Sequence, residues 1–171
     1  MINKNHQKGA ETVEFAMICL LLFALVFAII EFGRTLFVWN ALAEATRRAA
    51  RMAVVCPYLS PFPAQVAIFN VDWLNGTLGT SPIIPGLTPA MITVSYWDKA
   101  GNPATDATST NSVQVSINGY TNNLFIPQFI PTWIWGKTIT APSFTTTLHS
   151  ESLGAVPTIP PAAPGPTACN F

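Results

Sequence analysis

Charge is scarce in this sequence. Asp, Glu, Lys and Arg make up 9% of its 171 residues, against about 25% in an ordinary soluble domain. The shortfall is uneven, because residues 1–51 hold ten of the sixteen charged side chains. The formal net charge is zero, so no basic field exists to hold a nucleic acid and no acidic field to draw in a cationic substrate. Histidine is nearly missing too: His6 and His149 are the two present, which leaves few choices of general base. No Gly-rich phosphate loop, nucleophile elbow or zinc-binding helix motif occurs. His149 with Ser150 or Ser143 is the remaining arrangement for a hydrolase, and neighbours on a strand point to opposite faces. Cys56 and Cys169 have no second metal ligand within four residues, so no metal, cofactor or small-molecule substrate is expected. Scarce charge does not mean disorder here, since 50% of the residues are hydrophobic. The length suits one domain and one accessory element.

What the sequence has in abundance is a continuous apolar run. Every residue from Phe15 to Ile30 is apolar, and the pattern resumes past Glu31 and Arg34 with Leu36, Phe37, Val38 and Trp39. Sixteen helical residues rise about 24 Å, short of a hydrocarbon core of roughly 30 Å, so Ala10, Val13 and Phe32 must lie in or near the bilayer as well. A secretory signal would have a shorter apolar stretch and a small-x-small cleavage site, which Glu31-Phe32-Gly33 matches poorly. Glu14 sits at the edge of the run, behind Gly9 and a polar leader holding Lys4, His6 and Lys8. An acid there is either solvated among headgroups or paired with a specific partner. Were the chain cut after Gly9, the new ammonium of Ala10 in one subunit would be available to neutralise Glu14 of its neighbour.

The stretch Gly9-Ala10-Glu11-Thr12-Val13-Glu14-Phe15-Ala16 resembles the processing site of type IV pilin-like proteins. Together with Ile30-Glu31-Phe32-Gly33-Arg34, Asn40-Ala41-Leu42 and Ala45-Thr46-Arg47-Arg48-Ala49-Ala50-Arg51, it resembles the TadE-like minor pseudopilins of tight-adherence (Tad) pilus systems. The resemblance covers roughly residues 8–55. It implies cleavage between Gly9 and Ala10 by a prepilin peptidase, and an assembly role for Glu14 and Phe15. It also implies partnership with membrane lipid, other pilins or pseudopilins and the Tad assembly platform. The expected location is the bacterial inner membrane, crossed once, with the N-terminus cytoplasmic and incorporation into a surface pilus an open alternative. For the Glu31–Arg34 block the residues themselves suggest an ion pair, three apart on one helix face.

Past Leu36 the chain holds no proline until Pro57, so the helix is expected to run to Val55 and protrude from the bilayer. Ala41, Ala45 and Ala49 make a small-residue stripe that permits close approach of another helix or of the protein's own sheet. Glu44 and Arg48 are placed to pair, whereas Arg47 and Arg51 repel unless an acid faces them. Orientation from charge is contradictory. Lys4 and Lys8 precede the membrane helix, but Arg34, Arg47, Arg48 and Arg51 follow it, and the positive-inside rule alone inverts the protein. Cys19 lies within the apolar run, leaving Cys56 and Cys169 either bridged in an oxidising compartment or as two separate thiols.

Beyond Pro57, residues 63–75 suggest a short helix and Thr77–Pro89 a loop. Alternation at Ile92, Val94 and Tyr96, at Val113, Val115 and Ile117, and at Phe144, Thr146 and Leu148 suggests three strands. Asp98, Asn102 and Asp106 are spaced by four in a polar loop, too sparse for a typical calcium site. Phe125, Phe129, Trp133 and Trp135 crowd residues 124–135, to complete the core or to form an interface with a partner or with headgroups. The fold expected is α+β and pilin-like: a long N-terminal helix, part in the membrane and part protruding, packed on a small three-stranded antiparallel sheet. The divisions are a leader at 1–9, a transmembrane part at 10–39, a protruding helix at 40–55, an exported α+β domain at 56–153 and a Pro-rich tail at 154–171. The competing function is a membrane-tethered extracytoplasmic binding module that recognises through its aromatic segment.

Overall fold

The computed structural model describes residues 7–69, 79–125, 137–154 and Cys169. The chain divides into two compact units, one of Met1–Phe37 with Asn123–Ile139 and one of Val38–Asn122 with Thr140–Phe171.

The first unit is built on the opening turns of α1 (Gln7–Ala53). No proline interrupts this helix, and its residues from Gly9 to Ile30 are exposed apart from a half-buried Cys19. A helix that is apolar on every side belongs in a core or in a bilayer. Here no part of the most apolar window is buried within the protein, and Phe15, Met17, Leu20, Leu21 and Phe32 are among the side chains left bare. The helix is long and apolar enough to cross a membrane.

The second unit contains the core. From Val38 onward α1 has one buried stripe, Val38, Leu42, Ala45, Ala49 and Ala53, at the three- and four-residue spacing of a helix face. Against it packs a sheet of β1 (Ile92–Trp97), β2 (Ser112–Ile117) and β5 (Phe144–His149), ordered β1-β2-β5 and antiparallel throughout. Register stacks the apolar residues in rows across one face: Tyr96, Val113 and Leu148; Val94, Val115 and Thr146; Ile92, Ile117 and Phe144. Val113, Val115 and Ile117 on the central strand are fully buried, as are Leu42, Ile68, Ile84 and Leu87, each contributing about 1.5–3 kcal/mol relative to exposure. Among the alanines expected to form a stripe, Ala45 and Ala49 are wholly buried and Ala41 packs against the same cluster. The stripe therefore serves the protein's own sheet. In the middle of this seam the Thr46 and Thr146 hydroxyls meet at 2.9 Å, and Thr46 donates to the Ala43 carbonyl at 2.8 Å.

α1 ends at Ala53, two residues before the expected limit, and the chain leaves it through tight turns in which the Cys56 amide donates to the Met52 carbonyl at 2.8 Å. The short helix α2 (Phe62–Ala67) stops where Phe69 turns to φ 58°. The rest of the helix expected there, residues 70–75, falls outside the described residues. Arg48 stacks over the Phe69 ring at 4.7 Å while pairing with Glu44 at 3.1 Å. Arg47 reaches the same carboxylate at 3.9 Å. A 3-10 turn at Pro89–Met91 leads into β1. A second, two-stranded sheet joins β3 (Thr121–Asn123) and β4 (Thr138–Thr140). Sequence pattern does not suggest it, because three residues are too few to show a period of two.

Candidate functional site

The residues singled out by sequence gather along α1. Gly9, Ala10, Glu14 and Phe15 are all exposed on its first turns, and the four-residue spacing puts Ala10 and Glu14 on one helix face. A side chain at Gly9 would meet nothing within 4 Å. Packing therefore gives no reason for a glycine, which in a helix interior costs about 1 kcal/mol relative to alanine.

Where the bare surface of α1 ends, Glu31 and Arg34 form a junction. Arg34 Nη2 and Nε donate to Glu31 Oε1 at 2.7 and 3.2 Å. The other oxygen, Oε2, accepts the Phe125 amide at 3.1 Å, and the Arg34 guanidinium donates also to the Asn123 carbonyl. Thr35 donates its hydroxyl to the Glu31 carbonyl at 3.0 Å. Spacing alone points to the ion pair. It gives no hint that the remaining valences grip a backbone segment some ninety residues further on. That segment is closed on itself as well, since the Leu124 amide donates to the Lys137 carbonyl at 2.9 Å. Phe125 is 66% exposed and is not among the core residues, while Phe129, Trp133 and Trp135 lie outside the described residues.

Cys56 and Cys169 form a disulfide, with Cα atoms 5.5 Å apart. Both are buried, and Phe62, Met52 and Val66 pack around them. The bridge ties residue 169 to the end of α1. A second tie there comes from the chain just after β5, as the Leu153 and Gly154 amides donate to the Val54 and Val55 carbonyls at 3.1 and 2.8 Å.

The polar loop after β1 uses its acids to hold turns. Asp98 accepts the amides of Asn102 and Ala100 at 2.7 and 2.8 Å, and the Asn102 amide chiefly holds its carboxyl below the usual aspartate range. Asp106 accepts the Thr108 hydroxyl and the Ser109 amide, and the Thr108 hydroxyl chiefly lowers its carboxyl. Among the described residues no three His, Cys, Asp or Glu side chains come together as a metal cluster would. Ser150 Oγ is taken up by the Thr110 carbonyl at 2.8 Å, and His149 Nδ1 lies 3.2 Å from the Asn111 carbonyl.

One helix long and apolar enough to cross a membrane, whose later turns form the spine of a small α+β core, is consistent with a single-pass membrane protein. Residues 9–51 match the family model described as TadE-like protein, and the whole of that match lies within α1. No curated protein and no solved structure matches it.

Proposed function

We propose that the chain is a structural, non-enzymatic component of a Tad-type adhesive pilus or a related secretion apparatus. In this reading it is a minor pseudopilin processed after Gly9 by a prepilin peptidase. The observation that carries the reading is the coincidence of the TadE-like match, residues 9–51, with nearly the full length of α1, Gln7–Ala53. Residues 1–9 act as the cytoplasmic leader and 10–39 as the membrane part of the helix. Residues 40–55 form its protruding part, 56–153 the extracytoplasmic domain, and 154–171 the Pro-rich tail drawn back by the disulfide. An unpacked Gly9 fits recognition by a peptidase. Ala10 and Glu14 on one face suit a mature amino terminus that neutralises the acid of a neighbouring pilin while apolar surfaces such as Phe15 pack side by side. The partners are membrane lipid, the peptidase, other pilins or pseudopilins and the assembly platform.

Intact mass of the membrane-extracted protein from its native host tests the processing step. Loss of residues 1–9 is expected, and an intact N-terminus or cleavage near residues 30–40 would sink the proposal. Glu14→Ala separates assembly from simple tethering. It should abolish incorporation into pilus assemblies while leaving the folded domain unchanged, whereas a tethered binding module would be indifferent to it.

A further inference from the structure

We infer that the Glu31–Arg34 junction holds Phe125 and Lys137 at the bilayer surface, giving the protein a second lipid contact beside its helix. The inference rests on the reading of α1 as a membrane helix and goes beyond it by assigning lipid as the occupant of the surface at Phe125.

Three observations within one compact unit support it. The first is depth. Exposed apolar side chains run along α1 from Val13 to Phe37, about 36 Å of helix against a hydrocarbon core of roughly 30 Å. Measured from Val13, Glu31 lies about 27 Å along the axis and Arg34 about 32 Å, which puts the pair at the far interface. The Phe125 amide is bonded to that same Glu31 carboxylate at 3.1 Å, so the residue shares its depth to within a few ångströms.

The second is that both ends of the intervening chain are held there. Asn123 and Phe125 are gripped by Arg34 and Glu31, and Lys137 is joined to Leu124. The third is chemistry. Phe125 is 66% exposed, Lys137 is exposed, and the sequence from Leu124 to Gly136 contains no charged residue. An exposed apolar ring on a segment bonded to the Glu31–Arg34 pair and to the backbone of Lys137 suits headgroup level, where an apolar side chain enters the acyl boundary and a lysine meets phosphates. A binding surface for a protein in water would have no reason to sit at this depth.

The test uses the full chain in phosphatidylcholine and phosphatidylglycerol vesicles, with Cys19→Ser to remove the free thiol and the disulfide left oxidised. An environment-sensitive fluorophore is attached at Phe125→Cys in one sample and at Phe23→Cys, in the middle of the bare helix, in another. A blue-shifted emission at position 125 is expected, with the larger loss of intensity to a nitroxide at glycerol depth than to one in mid-chain. The order reverses at position 23. Combining Glu31→Ala and Arg34→Ala should shift the emission at 125 to that of water and expose it to iodide, with 23 unchanged. A water-like, iodide-quenched probe at 125 beside a lipid-quenched probe at 23 would overturn the inference and leave the membrane helix standing. Quenching at 125 that survives loss of both junction residues would overturn the role given to the pair. Water-like emission at both positions would overturn the membrane reading itself.

Discussion

Replacing Gly154 by alanine tests how the end of α1 is closed. Gly154 has φ +81°, and a Cβ placed on it would lie 2.8 Å from Pro57 Cγ, 3.0 Å from its Cα and 3.1 Å from its N. Two of those three atoms are backbone of a proline that follows the bridged Cys56, so the neighbour has little room to give. Two effects add. Holding alanine in the left-handed region costs about 1–2 kcal/mol. Relieving the clash pulls the Leu153 and Gly154 amides off the Val54 and Val55 carbonyls, and each lost bond costs about 1 kcal/mol. The total is about 3–4 kcal/mol, or a fall in Tm of about 12–16 °C if each kcal/mol moves a domain of this size by about 4 °C. Gly86 supplies the control, because its φ is +80° yet nothing lies within 4 Å of its Cβ position. Gly86→Ala should show the backbone cost alone. Thermal unfolding of the detergent-solubilised full chain, followed by near-UV circular dichroism with the disulfide intact, measures both. Equal losses in the two variants, within about 0.5 kcal/mol, would refute the claim that close packing on Pro57 locks this junction.

The helix–sheet seam yields a double-mutant cycle: Thr46→Val should destabilise by about 1–2 kcal/mol, since it takes the partner from the Thr146 hydroxyl, Thr146→Val by less, since Thr46 keeps its bond to the Ala43 carbonyl, and the pair together by less than the sum. Strict additivity in denaturant melts would mean the 2.9 Å contact carries no energy. For Asp98 and Asp106 the folded-state pKa is lowered. Their contribution to the loop is therefore present above the ordinary aspartate value of about 3.9 and lost as pH falls through the lower folded value. A carboxyl carbon NMR titration should find both midpoints below that value, and ordinary midpoints would contradict the turn hydrogen bonds. Changing Cys56 and Cys169 to serine together should cost up to about 4–5 kcal/mol, as expected in the chain-entropy model for a long closed loop. An unchanged Tm, with or without reductant, would show the bridge to be idle.

The helix and the three main strands were readable because each repeats its apolar spacing over enough residues to stand out. Ala41, Ala45 and Ala49 recur every four residues in a stretch without proline, and Val113, Val115 and Ile117 keep a period of two. Pairing of Glu31 with Arg34 and of Glu44 with Arg48 followed from spacing on one helix. What escaped was of another kind. The bond from the Phe125 amide to Glu31 involves a backbone group that every residue possesses, so no side chain announces it. β3 and β4 are too short to alternate. Phe69 adopts φ 58° and Leu59 φ 61°, conformations ordinarily signalled by glycine or asparagine. At Phe69 the unusual backbone coincides with a ring that lies 4.7 Å from the Arg48 guanidinium.

The disulfide also changes what a break in the chain can do. Cys56 and Cys169 are separated by 113 positions, and closing that distance converts the domain that follows α1 into a covalent ring suspended from the helix. One proteolytic nick anywhere between the two cysteines opens the ring without shedding a fragment, because one new end stays joined to α1 through the backbone and the other through sulfur. Within the ring, a piece is therefore shed only by two cuts, or by one cut and a reductant, whereas a single cut before Cys56 frees the whole domain from α1.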